Sequence, residues 1–164
     1  MANQSNSITV YTDGACRGNP GPGGWAWAVP GESYASGAEA YTTNQRMELT
    51  GVLDALRSLS KDVSPGGTLE VVSDSSYVVN CFKQRWWEGW QRKNWKNSQG
   101  KPVANQDLWQ PLIVLARTDE FQVEFRWVKG HSGDRWNDFV DILATTAADS
   151  GKGDRGLINP PEPH

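Results

Sequence analysis

The apolar residues of this chain change their spacing along the sequence, from patterns typical of strands to the period of helices. A β-branched and aromatic run at residues 8–12 leads into Asp13-Gly14, and residues 25–29 follow a loop rich in glycine and proline. The next segment has the i, i+3, i+4, i+7 spacing of an amphipathic helix, at Leu49, Val52, Leu53 and Leu56. Strands followed by alternating helices and strands predict an α/β fold in which helices pack against a mixed sheet.

The same patterns complete the predicted fold. They indicate three more strands, at residues 33–40, 69–73 and 121–127, and three more helices, at residues 78–90, 105–117 and 137–148. A chain of 164 residues fits one folded domain, which we place at residues 1–149. Residues 150–164 are rich in glycine and proline and contain few apolar residues, so we predict a flexible C-terminal tail.

The sequence also bears on the cellular compartment. Residues 1–7 are polar, unlike a signal peptide, and no run approaches the ~20 apolar residues of a membrane span. The two cysteines, Cys16 and Cys81, form no paired metal-binding spacing and are too few for a disulfide framework. We therefore predict a cytoplasmic protein with reduced thiols and no membrane partner.

The charge of the chain is unevenly distributed. A formal net charge of -3 argues, on its face, against a nucleic-acid partner. However, residues 83–101 carry six basic residues and one acid, a local net of +5, which leaves -8 for the rest of the chain. The same segment contains Trp86, Trp87, Trp90 and Trp95. Basic side chains interleaved with aromatic rings favour a nucleic-acid-binding surface, although the rings could equally stack on one another.

Four acidic residues occupy positions that suggest a catalytic or metal-binding role. Asp13 and Asp74 close predicted strands, and Glu48 lies in the first turn of a helix. Asp141 lies among apolar residues of the last helix, where an acid is costly unless something neutralises it. Each acid alone could simply make a turn or stabilise a helix start. Brought together they would repel one another and require a cation, for which oxygen-only ligands favour Mg²⁺ or Mn²⁺.

Short motifs around these acids form an ordered set: Thr12-Asp13-Gly14-Ala15-Cys16, Gly18-Asn19-Pro20-Gly21-Pro22-Gly23-Gly24, Asn44-Gln45-Arg46-Met47-Glu48-Leu49, Ser73-Asp74-Ser75, Trp127-Val128-Lys129-Gly130-His131-Ser132-Gly133, Asn137 and Asp141. In order and spacing, this set closely resembles the ribonuclease HI family, the type 1 ribonucleases H, over residues 7–149. The resemblance implies a ribonuclease H-like fold, a five-stranded mixed sheet flanked by helices, with residues 1–149 as the catalytic domain.

The resemblance also implies an activity, the hydrolysis of the RNA strand of RNA/DNA hybrids to give 5′-phosphate and 3′-hydroxyl ends. Two Mg²⁺ ions would be the cofactors, with Mn²⁺ as a substitute. Asp13 would bridge both ions, Asp141 would complete the site of the ion that holds the water, and Glu48 with Asp74 would hold the second. His131, on a glycine-flanked loop, matches a mobile histidine that assists proton transfer or product departure.

Contacts with the hybrid are implied in the same way. Gly14, Asn19 and Asn44 match contacts in the groove where RNA is recognised by its 2′-hydroxyl, and Cys16 and Thr43 lie on the path of the DNA strand. The further matches are Ser76, Trp86, Trp90, Arg92, Lys93, Lys96 and Asn137. The chain departs from the family pattern at Ser76, where glutamine is frequent, and at Gly89, where relatives carry a polar residue that grips a DNA phosphate.

Three other functions remain open at this point. They are an inactive module that only binds hybrids, a transposase or integrase core of the same fold, and a zinc or thiol enzyme. The first is opposed by the presence of all four carboxylates and His131, the second by the length of the chain, and the third by the lone cysteines. We expect a monomer whose replication or repair partners, if any, are not visible in the sequence.

Overall fold

The computed structural model describes residues 5–158 as one mixed β-sheet with α-helices on both faces. Within that range the strands are β1 (Ser5–Cys16), β2 (Gly21–Val29), β3 (Ser33–Thr42), β4 (Val63–Ser73), β5 (Gln122–Trp127) and β6 (Arg155–Leu157). The helices are α1 (Asn44–Leu59), α2 (Ser76–Lys83), α3 (Trp86–Arg92), α4 (Gln106–Ala116) and α5 (Arg135–Ser150). The α/β fold predicted from the sequence is confirmed.

The strand order β5-β4-β1-β2-β3-β6 gathers the parallel strands at one side of the sheet. β1 pairs in parallel with β4, and β4 pairs in parallel with β5, whereas β2 and β3 are antiparallel to their neighbours. In this register Thr12 lies beside Ser73. Asp13 and Asp74 follow these two residues and therefore meet at the carboxyl edge of the parallel strands, where open α/β sheets commonly bind ligands.

Different helices cover the two faces of the sheet. On one face, Leu49 of α1 and Leu112 of α4 are fully buried in the main core. On the other face, Ala26 of β2 packs against Val140 and Ala144 of α5. Burial of a large apolar side chain contributes about 1.5–3 kcal/mol, so packing of this kind holds α1 and α5 firmly where they carry acidic side chains.

The start of α1 is fixed by polar contacts. Thr43 is its N-cap, and the Thr43 hydroxyl accepts a hydrogen bond from the Arg46 amide at 3.2 Å. The Arg46 guanidinium binds the Asp107 carboxylate at 2.7 Å, which ties α1 to the first turn of α4. The Asn44 amide donates to the Asn19 side chain at 2.9 Å, so the loop before β2 is attached to the same helix end.

A sixth strand corrects the five-stranded prediction. β6 pairs antiparallel with β3, although its residues belong to the segment predicted to be a flexible tail. Polar contacts hold it. The Arg155 guanidinium lies 3.1 Å from the Asp54 carboxylate, and the Tyr34 hydroxyl donates to Asp154 at 2.9 Å. Hydrophobic periodicity could not reveal such a strand, and residues 159–164 of the predicted tail lie outside the described part of the chain.

One predicted helix is divided. The helix expected at residues 78–90 consists of α2 and α3, separated at Arg85, whose φ of 56° lies in the left-handed region. A single helix cannot continue through such a backbone conformation. Among residues 5–158, none of the helices has the length and apolar character that a membrane span needs.

Candidate active site

Three carboxylates converge at the carboxyl edge of the parallel strands. Asp13 lies in β1, Glu48 in the first turns of α1, and Asp74 directly after β4, and an oxygen of each lies within 4.8 Å of the others. Asp13 and Glu48 are only 4% and 7% exposed, and Asp74 is half-buried. Residues 13, 48 and 74, which are far apart in the sequence, thus form one acidic cluster as predicted.

Gly14 allows α1 to approach β1 closely enough to complete this cluster. A Cβ atom at position 14 would lie 2.3 Å from the Glu48 amide nitrogen and 2.4 Å from the Met47 carbonyl carbon. The Gly14 amide itself donates to the Asp13 carboxylate at 2.9 Å. Gly14 is therefore needed for packing, and its predicted contact with a hybrid stays a prediction.

Burial and mutual repulsion make these carboxyl groups reluctant to ionise. Burial, and then the charge of Asp74, raise the pKa of Asp13 to about 8 despite the hydrogen bond from Gly14. Burial and the charges of Asp13 and Asp74 raise the pKa of Glu48 well above its ordinary value. Burial also raises the pKa of Asp74, although a hydrogen bond from Asn137 opposes this. Such a site becomes stable as a set of anions when a cation enters it.

The chemistry of the donors fits a hard divalent cation. The Glu48 Oε1 atom is buried and has no hydrogen-bond partner among the described residues. A buried polar atom without a partner is costly, and it is an observation that a bound ion would explain. The three ligand groups are all carboxylates, the donors that Mg²⁺ and Mn²⁺ prefer.

Asp141 and His131 lie next to the cluster. The charge of Asp141 raises the pKa of both Asp13 and Asp74. Asp141 is not one of the three residues whose carboxylate oxygens lie within 4.8 Å of one another. An open cavity of about 410 Å³ is lined by both residues, together with Gly133, Asp138 and Ile142. The His131 side chain is exposed, and its positive charge lowers the pKa of Asp74. The histidine loop and the fourth acid are thus brought to the same site.

Asp74 is held by residues whose role could not be read from the sequence. The Trp127 indole donates to the Asp74 carbonyl oxygen at 3.1 Å, and the Asn137 amide donates to the Asp74 carboxylate at 3.4 Å. Asn137 is buried, so the structure turns its amide towards Asp74, whereas its predicted contact with substrate stays a prediction. The tryptophan contact depends on the register of β4 with β5, which places Ser73 beside Trp127 and which the sequence pattern of either strand alone does not define.

Other predicted substrate residues surround the N-terminus of α1 and the start of α2. Cys16 is half-buried, and its thiol lies 3.3 Å from the Thr42 carbonyl oxygen. Thr43 and Asn44 form the first turn of α1, to which Asn19 is bonded. Ser76 is exposed at the first position of α2. Contact of these residues with a nucleic acid stays a prediction.

The basic segment combines a packed aromatic cluster with exposed cations. The Trp86 and Trp90 ring centroids are 6.3 Å apart in an edge-on arrangement, and Trp90 lies 5.4 Å from the buried Trp109. These rings therefore stack on one another and on the core, and their contact with a hybrid stays a prediction. All six cations of the segment are exposed to solvent, among them Arg92, Lys93 and Lys96.

Sequence comparisons identify relatives of the chain. A family model described as RNase H matches residues 5–149. The ribonuclease H of Syntrophomonas wolfei subsp. wolfei is 52% identical over 146 residues, which cover 87% of this chain and 97% of that protein. The ribonuclease H of Nitratidesulfovibrio vulgaris (strain DSM 19637 / Miyazaki F) is 45% identical over 159 residues, covering 95% and 94%.

Solved structures show the same architecture. LC9-RNase H1, a type 1 RNase H with the type 2 active-site motif, superposes with a TM-score of 0.77 at 32% identity, covering 93% of this chain and 76% of that chain. LC11-RNase H1, solved in complex with an RNA/DNA hybrid, shares the fold with a TM-score of 0.65 at 22% identity, covering 88% and 98%. The family model and the sequence relatives confirm the resemblance found in the motifs, and the chain belongs to the ribonuclease H family of endonucleases.

Proposed function

We propose that this ribonuclease H hydrolyses the RNA strand of RNA/DNA hybrids with two Mg²⁺ ions, for which Mn²⁺ can substitute. The observation that carries the proposal is the convergence of Asp13, Glu48 and Asp74 within 4.8 Å, beside Asp141. Divalent ions there supply the charge that activates water and stabilises the leaving oxygen of a phosphodiester. All four acids lie within residues 1–149, which we assign as the catalytic domain.

Each acid has a role that follows from its position. Asp13 interacts with Glu48, Asp74 and Asp141, so we assign it to bridging the two ions. Glu48 and Asp74 would hold one ion, and Asp141, which lines the open cavity together with His131, would complete the site of the second. Rigid attachment to β1, α1 and α5 keeps these ligands in place.

His131 is suited to a supporting part in the reaction. It is exposed on a loop beside Asp141, and an imidazole can both donate and accept a proton. We assign it to carrying a proton to or from the reacting phosphate or to assisting product departure. Hydrolysis in which the 3′ oxygen leaves phosphorus gives a 3′-hydroxyl and a 5′-phosphate.

Recognition of the hybrid would use the surface around the start of α1. Asn19, Thr43 and Asn44 lie together at the start of α1, the helix that carries Glu48. Polar side chains and backbone groups of this kind can read the 2′-hydroxyls of RNA in a wide minor groove. The exposed cations of residues 92–96 would bind phosphates and supply affinity. The hybrid bound to LC11-RNase H1 supports this choice of substrate.

The test is cleavage of an RNA/DNA hybrid labelled on either strand, beside matched RNA/RNA and DNA/DNA duplexes. We expect cutting only of the RNA in the hybrid, with end-group analysis giving 5′-phosphate and 3′-hydroxyl ends. Replacement of the exposed acid Asp119 by asparagine is the control and should leave the rate unchanged. Binding of the hybrid without cleavage under Mg²⁺ and Mn²⁺ would instead identify an inactive binding module.

A further inference from the structure

Trp127 makes an unusual contact for a half-exposed aromatic residue. It is the last residue of β5 and is 48% exposed, so core packing does not account for it fully. Its indole nitrogen donates to the Asp74 carbonyl oxygen at 3.1 Å. The next amide, that of Val128, donates to the Ser73 carbonyl at 3.0 Å, so two successive residues at the end of β5 hold the two residues around the end of β4.

Asp74 needs such support because of where it lies in the chain. β4 ends at Ser73, and Ser75 is the N-cap of α2, so Asp74 lies between the two elements, outside the regular hydrogen bonding of either. The Asn137 amide reaches only the carboxylate, at 3.4 Å. Among the side chains of residues 5–158, the indole of Trp127 contacts the backbone from which this carboxylate projects.

The loop that follows Trp127 is fitted closely around the same carboxylate. A Cβ atom at Gly130 would lie 2.8 Å from the Asp74 Oδ2 atom, so the loop backbone lies against the carboxylate. His131 follows directly, with a left-handed φ of 55°. Trp127 thus connects the start of the loop that carries His131 to Asp74, the residue against which this loop packs.

We propose that Trp127 is a positioning residue for the metal site, which fixes the backbone of Asp74 and thereby the direction of its carboxylate. The proposal rests on the metal-dependent function proposed above. Displacement of a reacting group by about 1 Å can cost on the order of a hundredfold in rate, so one hydrogen bond at this point has a large effect. This role requires no contact between the Trp127 ring and the substrate.

The test is Trp127→Phe, which keeps an aromatic ring and removes the N–H donor. We expect Mg²⁺ affinity, measured by calorimetry without nucleic acid, to fall about fivefold, the size expected for one lost hydrogen bond. The kcat for hybrid cleavage at limiting Mg²⁺ should fall about tenfold and recover partly at high Mg²⁺, whereas KM for the hybrid should change less than twofold.

Trp27→Phe is the matched control. It removes another indole donor, which binds the half-buried Asp54 at 2.8 Å and none of the three clustered carboxylates. This variant should lose stability but keep wild-type Mg²⁺ affinity and kcat. If Trp127→Phe binds Mg²⁺ as tightly as the wild type does, the positioning role is wrong. It is also wrong if the defect of the variant lies entirely in KM, a result that would indicate contact between the ring and the substrate.

A measurement on the unaltered protein decides the question even if Trp127→Phe does not fold. The assigned indole N–H resonance of Trp127 should be protected from exchange and should shift on titration with Mg²⁺, whereas that of Trp27 should not shift. An unprotected Trp127 resonance that Mg²⁺ leaves in place would overturn the proposal. These readouts do not use hybrid cleavage, so a wild-type protein that binds Mg²⁺ but leaves hybrids intact would refute the proposed function and not the positioning role.

Discussion

Replacing Asp13 with asparagine removes a buried carboxyl group that resists ionisation, and it is expected to stabilise the protein when EDTA keeps it free of divalent ions. The pKa of Asp13 is raised from 3.8 to about 8 in the folded protein. A carboxyl group with a raised pKa supports folding fully below pH 3.8. That support is lost as the pH rises towards 8, because the unfolded chain ionises first and the folded chain must retain its proton.

The size of the effect follows from the pKa shift. One pKa unit corresponds to about 1.4 kcal/mol, so the free energy of unfolding of the wild type should fall by about that amount per pH unit, relative to the variant, between pH 4 and 8. Because Glu48 and Asp74 share protons with Asp13, we expect a smaller measured gap of about 2–4 kcal/mol at pH 7.5. The neutral amide keeps an oxygen that can accept the hydrogen bond from Gly14.

The assay is urea denaturation in EDTA at pH 5, 6, 7 and 8, with Asp119→Asn as a control that should follow the wild type. Addition of Mg²⁺ should stabilise the wild type and not the Asp13 variant, because only the wild type keeps the full set of ligands. A gap that is independent of pH, or an Asp13 variant that is less stable than the wild type at pH 8, would refute the reasoning.

Three further changes test other parts of the site. Gly14→Ala should cost roughly 2–3 kcal/mol of stability in urea denaturation and most of the cleavage activity, because its Cβ would meet the α1 backbone at 2.3 Å; a fully active variant would contradict this packing role. His131→Ala should slow steady-state turnover on the order of a hundredfold, and complete loss of cleavage would mean that its role is misassigned. Neutralising Arg92, Lys93 and Lys96 together should weaken hybrid binding and lower the slope of log K against log salt by about 3, measured by fluorescence anisotropy. An unchanged slope would place the hybrid on another face.

Much of the site could be predicted because its residues follow regular elements. Asp13 and Asp74 end neighbouring parallel strands, and the helical period from Leu49 onward placed Glu48 at the edge of a buried stripe. The structure brings these acids together as the motifs implied. The prediction succeeded because hydrophobic periodicity determines which element a residue belongs to and which face it occupies.

The features that were missed depend on local backbone conformation or on contacts between distant residues. The left-handed conformation of Arg85 divides a helix, and nothing in the apolar pattern marks it. β6 is attached through Arg155 and Asp54, which are far apart in the sequence. The bond from Trp127 to Asp74 requires the register of β4 with β5, which the separate strand patterns do not define.

The most direct test of the central claim is single-turnover cleavage of a hybrid labelled on its RNA strand, with Mg²⁺ and with EDTA, by the wild type and by Asp13→Asn. We predict rapid cutting by the wild type in Mg²⁺, none in EDTA, and an Asp13 variant that still binds the hybrid but leaves its RNA intact. Cleavage that continues in EDTA, or at the wild-type rate without the Asp13 carboxylate, would contradict a metal-dependent mechanism at this site.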